Sequence, residues 1–495
     1  MRDTYTFALI VLVTALAAAL AVSSNRISAR IRIPAPAIFL LASALASDLW
    51  PGLGRLPITD VERIVTVALA VILFDGGMNI GRRRFGTVVG PVVWIGVVGT
   101  FATAAGVAAA AHLLFGLGWQ ESLLIGTALS PTDPAVVFSV LGSRRVGGRT
   151  GSLLEGESGA NDPVGIALMI ALLGASGTGG AAATGQVVVT FVEQMAIGAV
   201  VGLAGATVLL ALMRRVPLPS EGLYPLRVLA GAMIVYGAAT VAHGSGFLAV
   251  FVAGILMGDE RAPYKGEIER FHSSLASLAE IVAFVVLGLS VHLSVLGSDH
   301  TWLVGLVLAV LLAVVIRPLL VGALLLPVRL TFGERVFVSW SGLKGAVPVL
   351  LGTFILTAGV PNADRIYSLI FVVVAFSVIV QGGSVPAAAR LCRVPMHTVD
   401  QEPWTVGVRL RHEPEGLRRY VIAPTAPADG RTIGDLELDE SAWITLVIRS
   451  GRLLPSAAST TLLAGDEVVL LVDPERPVEV AGLFGASPPG TAGPG

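Results

Sequence analysis

Residues 119–141 read Trp-Gln-Glu-Ser-Leu-Leu-Ile-Gly-Thr-Ala-Leu-Ser-Pro-Thr-Asp-Pro-Ala-Val-Val-Phe-Ser-Val-Leu. The run is apolar on both sides of Ser130-Pro131-Thr132-Asp133-Pro134, where two prolines flank a carboxylate. Each proline removes a backbone donor and frees the carbonyl four residues earlier, so a helix must break here. In a soluble protein Thr-Asp-Pro is a turn between two elements. Within a membrane span the same tripeptide becomes a break at mid-depth, whose free carbonyls and half-helix ends can hold an ion.

The rest of the chain decides for the span. Of 495 residues, 54% are hydrophobic and 14% charged, against about 25% charged in soluble domains, and mean hydropathy is +0.81. The apolar residues come in long blocks, and the 58 glycines suit transmembrane helices. This composition argues against a water-soluble enzyme. A net charge of −1 gives no sign of a nucleic-acid partner. The lone Cys392 excludes an internal disulfide or a Cys-based metal cluster.

Thirteen apolar segments follow, near 5–22, 34–50, 61–80, 88–115, 119–141, 153–175, 186–213, 224–242, 244–258, 272–296, 301–326, 335–358 and 366–390. Cytoplasmic loops collect Lys and Arg. Nineteen basic residues fall on alternate connections, from Arg26, Arg30 and Arg32 to Arg390 and Arg393; only Arg2, Arg55, Arg63 and Arg365 fall on the others. Losing one span in the middle would spoil this alternation, which favours the span reading of residues 130–134 over the turn reading. The expectation is thirteen spans, N-terminus outside and C-terminus in the cytoplasm. Because Arg26, Arg30 and Arg32 follow the first apolar run, that run reads as a helix rather than a cleaved signal peptide.

The expected fold is an all-α polytopic membrane domain over 1–393 with two interrupted helices, followed by a small cytoplasmic α+β domain over 394–485 and a disordered tip at 486–495. The tail changes character: Ile444–Arg449 and Glu467–Val472 read as strands, with turns at Ser450-Gly451-Arg452 and Ala464-Gly465-Asp466. The Gly/Ala/Thr stretch at 176–185 reads as an external loop.

Ionisable residues inside spans are functional candidates by default. The sixth segment carries Glu157, Ser158, Asn161 and Asp162 before Pro163. Ser152 with Glu155 suggests a capping box starting that helix near Leu153, which puts Asp162 roughly 15 Å into the membrane. Arg317 and Lys344 are basic residues in apolar runs, and Gly342, Gly345 and Pro348 mark the twelfth segment as interrupted like the fifth. Paired interrupted spans in two halves point to an inverted-repeat transporter site. Asp75, ending the third span, is a candidate ion-pair partner of Arg317 or Lys344, the other reading being an ordinary interfacial residue at the span's end. Glu193, Glu280, His243, His272 and His292 read as snorkelling or capping residues at span ends, and Gly198 with Gly202 as a close helix contact.

Desolvation can raise a buried carboxyl by up to about 3–5 units, which lets proton and cation compete for one site at neutral pH. Asp133, Thr132, Ser158 and Glu157 offer the hard oxygens an alkali cation prefers. The neutral Asn161 beside Asp162 fits an electroneutral one-for-one exchange.

Thr132-Asp133-Pro134, Glu157-Ser158 with Asn161-Asp162, Arg317-Pro318 and Gly342-Leu343-Lys344-Gly345-Ala346-Val347-Pro348 resemble the monovalent cation:proton antiporters of the NhaP/NHE type. The resemblance implies a cation site of Thr132, Asp133, Glu157, Ser158 and Asp162, with the alkali cation at Asp133, Glu157 and Asp162. Asp162 would carry proton and cation by turns. Asn161 would support the site, with Arg317, Lys344 and Asp75 as electrostatic support. It further implies a homodimer in the bacterial inner membrane, working as an elevator and needing no cofactor. Lys344 departs from the family's usual arginine, and Asp75 from its frequent glutamate.

In the tail, Val421-Ile422-Ala423-Pro424, Gly430-Arg431-Thr432-Ile433-Gly434-Asp435-Leu436 and Leu463-Ala464-Gly465-Asp466-Glu467 resemble the C-terminal lobe of regulator-of-potassium-conductance proteins, the TrkA-C domain. That lobe occurs on potassium/proton antiporters of the CvrA type, which tilts the cation towards K⁺ over Na⁺. In some members it binds a regulator such as cyclic di-AMP, but the chain has no G-x-G-x-x-G for a nucleotide-binding lobe. The other classes are a ligand-gated K⁺ channel, which lacks its Thr-Val-Gly-Tyr-Gly filter here; a membrane hydrolase, which lacks a His-Glu-x-x-His cluster; and a sensor that transports nothing.

Overall fold

The computed structural model describes residues 34–50, 56–141, 144–175, 180–260, 262–291, 300–398, 417–436, 438, 442–449, 452–472 and 480–485. The first apolar segment with Arg26, Arg30 and Arg32, as well as Arg261, His292 and the expected disordered tip, lie outside them. The chain divides into two units, Met1–Thr398 and Val399–Gly495.

The first unit is helical. Among the described residues, six helical runs are long and apolar enough to cross a membrane: Ile58–Phe115, Ala182–Arg215, Leu223–Val241, Lys265–Leu289, Thr301–Leu324 and Ala363–Leu391. Ala35–Leu49, Gly246–Gly258 and Ala346–Thr357 are shorter apolar helices. The run from Ile58 is two spans joined at Gly81, where φ of 66° breaks the helical path without ending the hydrogen-bonded run. Two expectations are corrected. The helix bearing Asp162 begins at Gly148, with Gly147 at its cap and no side-chain capping bond, so Asp162 lies about 21 Å along it. The stretch read as a loop at 176–185 is helix from Gly180 onwards.

The polarity of this unit is inverted relative to a soluble protein. Leu113, Ile234, Val241 and Leu391 are exposed on the outside, while Arg317 and Lys344 rank among its largest fully buried side chains. Such an exterior requires a hydrocarbon solvent, and such an interior requires that each charge find a partner. Gly198 and Gly202 face the Ser245 and Ala249 carbonyls of the neighbouring short helix, each 2.6 Å from where a Cβ would stand. That is the close packing their spacing implies.

Arg144–Val146 and Met396–Thr398 form a two-stranded antiparallel pair, extended by the Gly147 N–H donating to the Pro395 carbonyl at 2.9 Å. The strand leaving the membrane domain is thereby tied to the connection between the half-helix Pro134–Leu141, which follows Asp133, and the helix that carries Asp162.

The second unit is a four-stranded antiparallel sheet. Its strands β1 (Leu417–Val421), β2 (Ala442–Arg449), β3 (Arg452–Leu454) and β4 (Glu467–Val472) are ordered β1-β4-β2-β3. Alternate residues of β4 are buried, as a one-sided sheet demands. Tyr420, Val447, Val468, Leu470 and Phe484 form its core. Gly465, at φ 87°, makes the turn into β4.

Candidate ion site

The two proline- and glycine-marked segments both break. The fifth becomes half-helices Trp119–Ala128 and Pro134–Leu141. The twelfth becomes Phe332–Trp340 and Ala346–Thr357. The non-helical stretches meet: the Asp133 N–H donates to the Leu343 carbonyl at 2.8 Å. Two Cβ-free positions allow that approach. A methyl at Gly345 would fall on the Asp133 carboxyl, and one at Gly342 on the Arg317 guanidinium.

Charges then answer the free helix ends. Lys344 Nζ donates to the carbonyls of Ser130 at 3.1 Å and Pro131 at 2.9 Å, just past the negative end of the first half-helix. Asp133 Oδ1 accepts the Ala135 N–H at 2.9 Å, and the N–H groups of Val136 and Ala346 also bond its carboxylate. One carboxylate thus meets the positive N-termini of two half-helices.

The helix Gly148–Gly174 presents Glu157, Ser158, Asn161 and Asp162 to this crossing, all buried. Asn161 Nδ2 donates to Thr132 Oγ1 at 2.7 Å, and its Oδ1 accepts the Thr132 N–H at 3.3 Å. Asn161 is therefore the clamp between the broken span and the Asp162 helix. Ser158 bonds the Asp162 carboxylate, on which the charges of Asp133 and Lys344 also act. Asp162 Oδ1 is buried with no hydrogen-bond partner, as is Glu157 Oε2.

Arg317 takes Glu157 as its partner, Nη2 to Oε1 at 2.7 Å, and its Nε donates to the Ser339 carbonyl at 3.0 Å. This corrects the expectation for Asp75, which pairs with neither Arg317 nor Lys344. Asp75 lies on the helix packed against Gly246–Gly258 and Lys265–Leu289 and accepts a bond from Asn79 at 2.9 Å. Among the described residues no three His, Cys, Asp or Glu side chains converge as ion ligands; the Ala135 N–H bonds one oxygen of Asp133, and Arg317 holds one oxygen of Glu157.

Three polar side chains escaped the sequence reading. Ser377 Oγ accepts the Lys344 N–H at 2.9 Å and donates to Gln381, whose amide donates to the Trp340 carbonyl. Together with Arg317, Gly342 and Lys344 they line a cavity of about 10 Å³, close to the smallest that holds one water. Ser341 Oγ, in the second break, is buried without a partner. A glutamine in the apolar run Val378-Ile379-Val380-Gln381 was the available signal.

Residues 12–391 match the family model described as "Sodium/hydrogen exchanger, transmembrane". The chain belongs to the sodium/hydrogen exchanger family. Residues 417–481 of this exchanger match the TrkA-C domain model. It is 34% identical over 459 residues to the K(+)/H(+) antiporter NhaP of Alkalimonas amylolytica, covering 91% of this chain and 79% of that one. It is 33% identical to the K(+)/H(+) antiporter NhaP2 of Shewanella oneidensis, covering 96% and 83%. The Na(+)/H(+) antiporter NhaH of Halobacillus dabanensis is 29% identical, covering 67% and 86%. The fold matches the sodium proton antiporter MjNhaP1 of Methanocaldococcus jannaschii at a TM-score of 0.65, covering 76% and 99% at 24% identity.

Proposed function

We propose that this exchanger is a monovalent cation/proton antiporter that carries K⁺ in preference to Na⁺. The observation that carries the reading is Asp162 Oδ1, an unpartnered buried carboxylate oxygen beside two crossed half-helix breaks. A carboxylate so placed needs either a proton or a cation, and cannot be stable with neither. Glu157 Oε2, Thr132 and Ser158 are the other oxygens offered to the cation, while Asp133 supplies negative charge held by the helix ends.

Asn161 carries no titratable proton and is engaged with Thr132, so Asp162 is the one acid of the pair and one proton exchanges for one cation. The protein works as a homodimer in a bacterial inner membrane, N-terminus outside and tail in the cytoplasm, by an elevator movement. It performs no chemical conversion and takes no cofactor; the tail regulates flux, with a cyclic dinucleotide as candidate ligand. K⁺ is favoured by the relatives named as K⁺/H⁺ antiporters over most of both chains and by the TrkA-C domain. Na⁺ is the second reading, favoured by the relative named as a Na⁺/H⁺ antiporter.

The test is cation-evoked proton movement in proteoliposomes with a pH dye, titrating K⁺, Na⁺ and Li⁺ separately, beside Asp162→Asn. K⁺-evoked flux lost in the variant supports the proposal. Flux with Na⁺ alone overturns the potassium assignment, and folded protein inert to all three cations overturns exchange.

A further inference from the structure

The helix Lys265–Leu289 stands outside the crossing, packed on Ala35–Leu49 and Ile58–Val93 and touching the half-helix Ala346–Thr357. Glu280 was expected to be a snorkelling residue at a span end. It lies instead fifteen residues into this helix, about 22 Å along it. Asp162 lies fourteen residues into its own helix, about 21 Å along. Both helices begin beside basic connections, at Arg144, Arg145 and Arg149 and at Lys265 and Arg270. Counted from these starts, the two carboxylates lie at similar distances along their helices.

Glu280 Oε1 is closed off from solvent and receives no hydrogen bond. The charge that acts on it is Asp133 of the ion site. Among the described residues no Lys, Arg or His forms an ion pair with it. The half-helix Ala346–Thr357 carries no ionisable residue. Asp48 is exposed at the end of its helix, and Asp75 is bonded to Asn79. A carboxylate oxygen closed off from water without a donor or counter-charge is costly. The Glu280 helix touches the half-helix Ala346–Thr357 of a site whose substrate is itself a positive charge, and Glu280 offers the hard oxygens an alkali cation takes.

We propose that Glu280 is a way-station for the transported cation, a carboxylate on the flanking helix that draws the ion towards Asp162. The proposal rests on the antiporter reading. It makes Glu280 a determinant of cation affinity rather than of the exchange step.

The experiment compares wild type, Glu280→Gln, Glu280→Asp and Asp162→Asn, full length in proteoliposomes, at one fixed pH with K⁺ and then Na⁺ titrated. The expected result is an apparent KM raised roughly three- to tenfold in Glu280→Gln, a maximal rate within about twofold of wild type, and recovery of affinity in Glu280→Asp. An unchanged KM in Glu280→Gln overturns the proposal. So does a maximal rate that falls together with melting temperature, which marks a structural residue. If wild type shows no cation-evoked flux, the antiporter reading fails, and Tl⁺ binding to the detergent-solubilised protein then decides on Glu280. Weakened Tl⁺ binding in Glu280→Gln supports the assignment, and equal binding overturns it.

Discussion

Arg317 Nη2 lies 2.7 Å from Glu157 Oε1 with the two side chains 2% and 4% exposed, which makes this the buried ion pair of the membrane domain's ion site. The pair joins the helix that carries Asp162 to the one that begins at Arg317-Pro318, where a π-turn over Leu312–Ile316 precedes the proline. Removing one partner strands the other charge, which typically costs about 3–5 kcal/mol. Arg317→Met is expected to lower the melting temperature in detergent sharply. Glu157→Gln with Arg317→Met together should recover much of the loss, because neither charge is then orphaned. Equal destabilisation by the single and double variants would show that Arg317 acts through packing alone.

The crossing makes a steric prediction. Gly345→Ala places a methyl on the Asp133 carboxyl, and Gly342→Ala places one on the Arg317 guanidinium. The obstacle at Gly345 is a carboxylate pinned by backbone N–H groups, so it has little room to yield. Overpacking of this kind costs typically about 1–3 kcal/mol. Gly345→Ala should abolish cation-evoked flux while the protein still elutes as folded. Alanine at Gly76 or Gly90, where a Cβ meets open space, should leave flux near wild type. Normal flux in Gly345→Ala would mean that Asp133 is free to move.

The breaks were legible in the sequence because proline and glycine dictate backbone locally, and Pro131, Pro134, Gly342 and Gly345 did so at both sites. The companions of Asp162 were legible from helical spacing alone. The partner of Arg317 was not, because an ion pair 160 residues apart in sequence depends on which helices pack together, and Asp75 was as good a candidate by charge. The helix start at Gly148 was missed because a capping-box pattern at Ser152 and Glu155 is only a local preference, overridden by the Arg144–Val146 strand pairing just upstream. Glu280 was misread for a related reason: distance from the end of an apolar run measures depth poorly when the helix begins seven residues before the run.

The tail domain should be acid-sensitive through Asp466. Burial by itself would raise this carboxyl. The hydrogen bonds from Arg449, at 2.8 and 2.7 Å, the Leu463 N–H and the Arg449 charge together hold it below the ordinary carboxylate range. A group whose pKa is depressed by folding stabilises above its unfolded pKa, about 3.9 for Asp, and loses that contribution as pH falls through the folded value. Asp466→Asn is expected to cost about 1.5–3 kcal/mol at neutral pH. It should also flatten the fall in tail stability below about pH 4, followed by hydrogen exchange of strands β2 and β4 in the full chain. An acid profile identical to wild type would assign the acid sensitivity to other carboxylates.

The strand Met396–Thr398 makes the last prediction, because it lies in the membrane unit yet leads to the tail. Its partner, Arg144–Val146, joins the half-helix beginning at Pro134 to the helix of Asp162. Nearby, Thr150 Oγ1 donates to Glu334 Oε1 at 2.8 Å, and Glu334 closes a capping box on Thr331 at the start of the second broken span. The second broken span is therefore bonded to the base of the Asp162 helix, and the first is joined to it through Arg144–Val146, next to the chain's exit. Ending the chain after Thr398 removes the tail and keeps the strand pair; ending it after Val394 removes both. If the pair holds the ion-site helices in register, the shorter protein should lose about 1–3 kcal/mol more stability, on the order of one net hydrogen bond per paired group, and lose flux that the longer truncation retains. Equal flux and melting temperature in the two truncations would reduce the strand to a tether, with any signal from the tail reaching the ion site by another route.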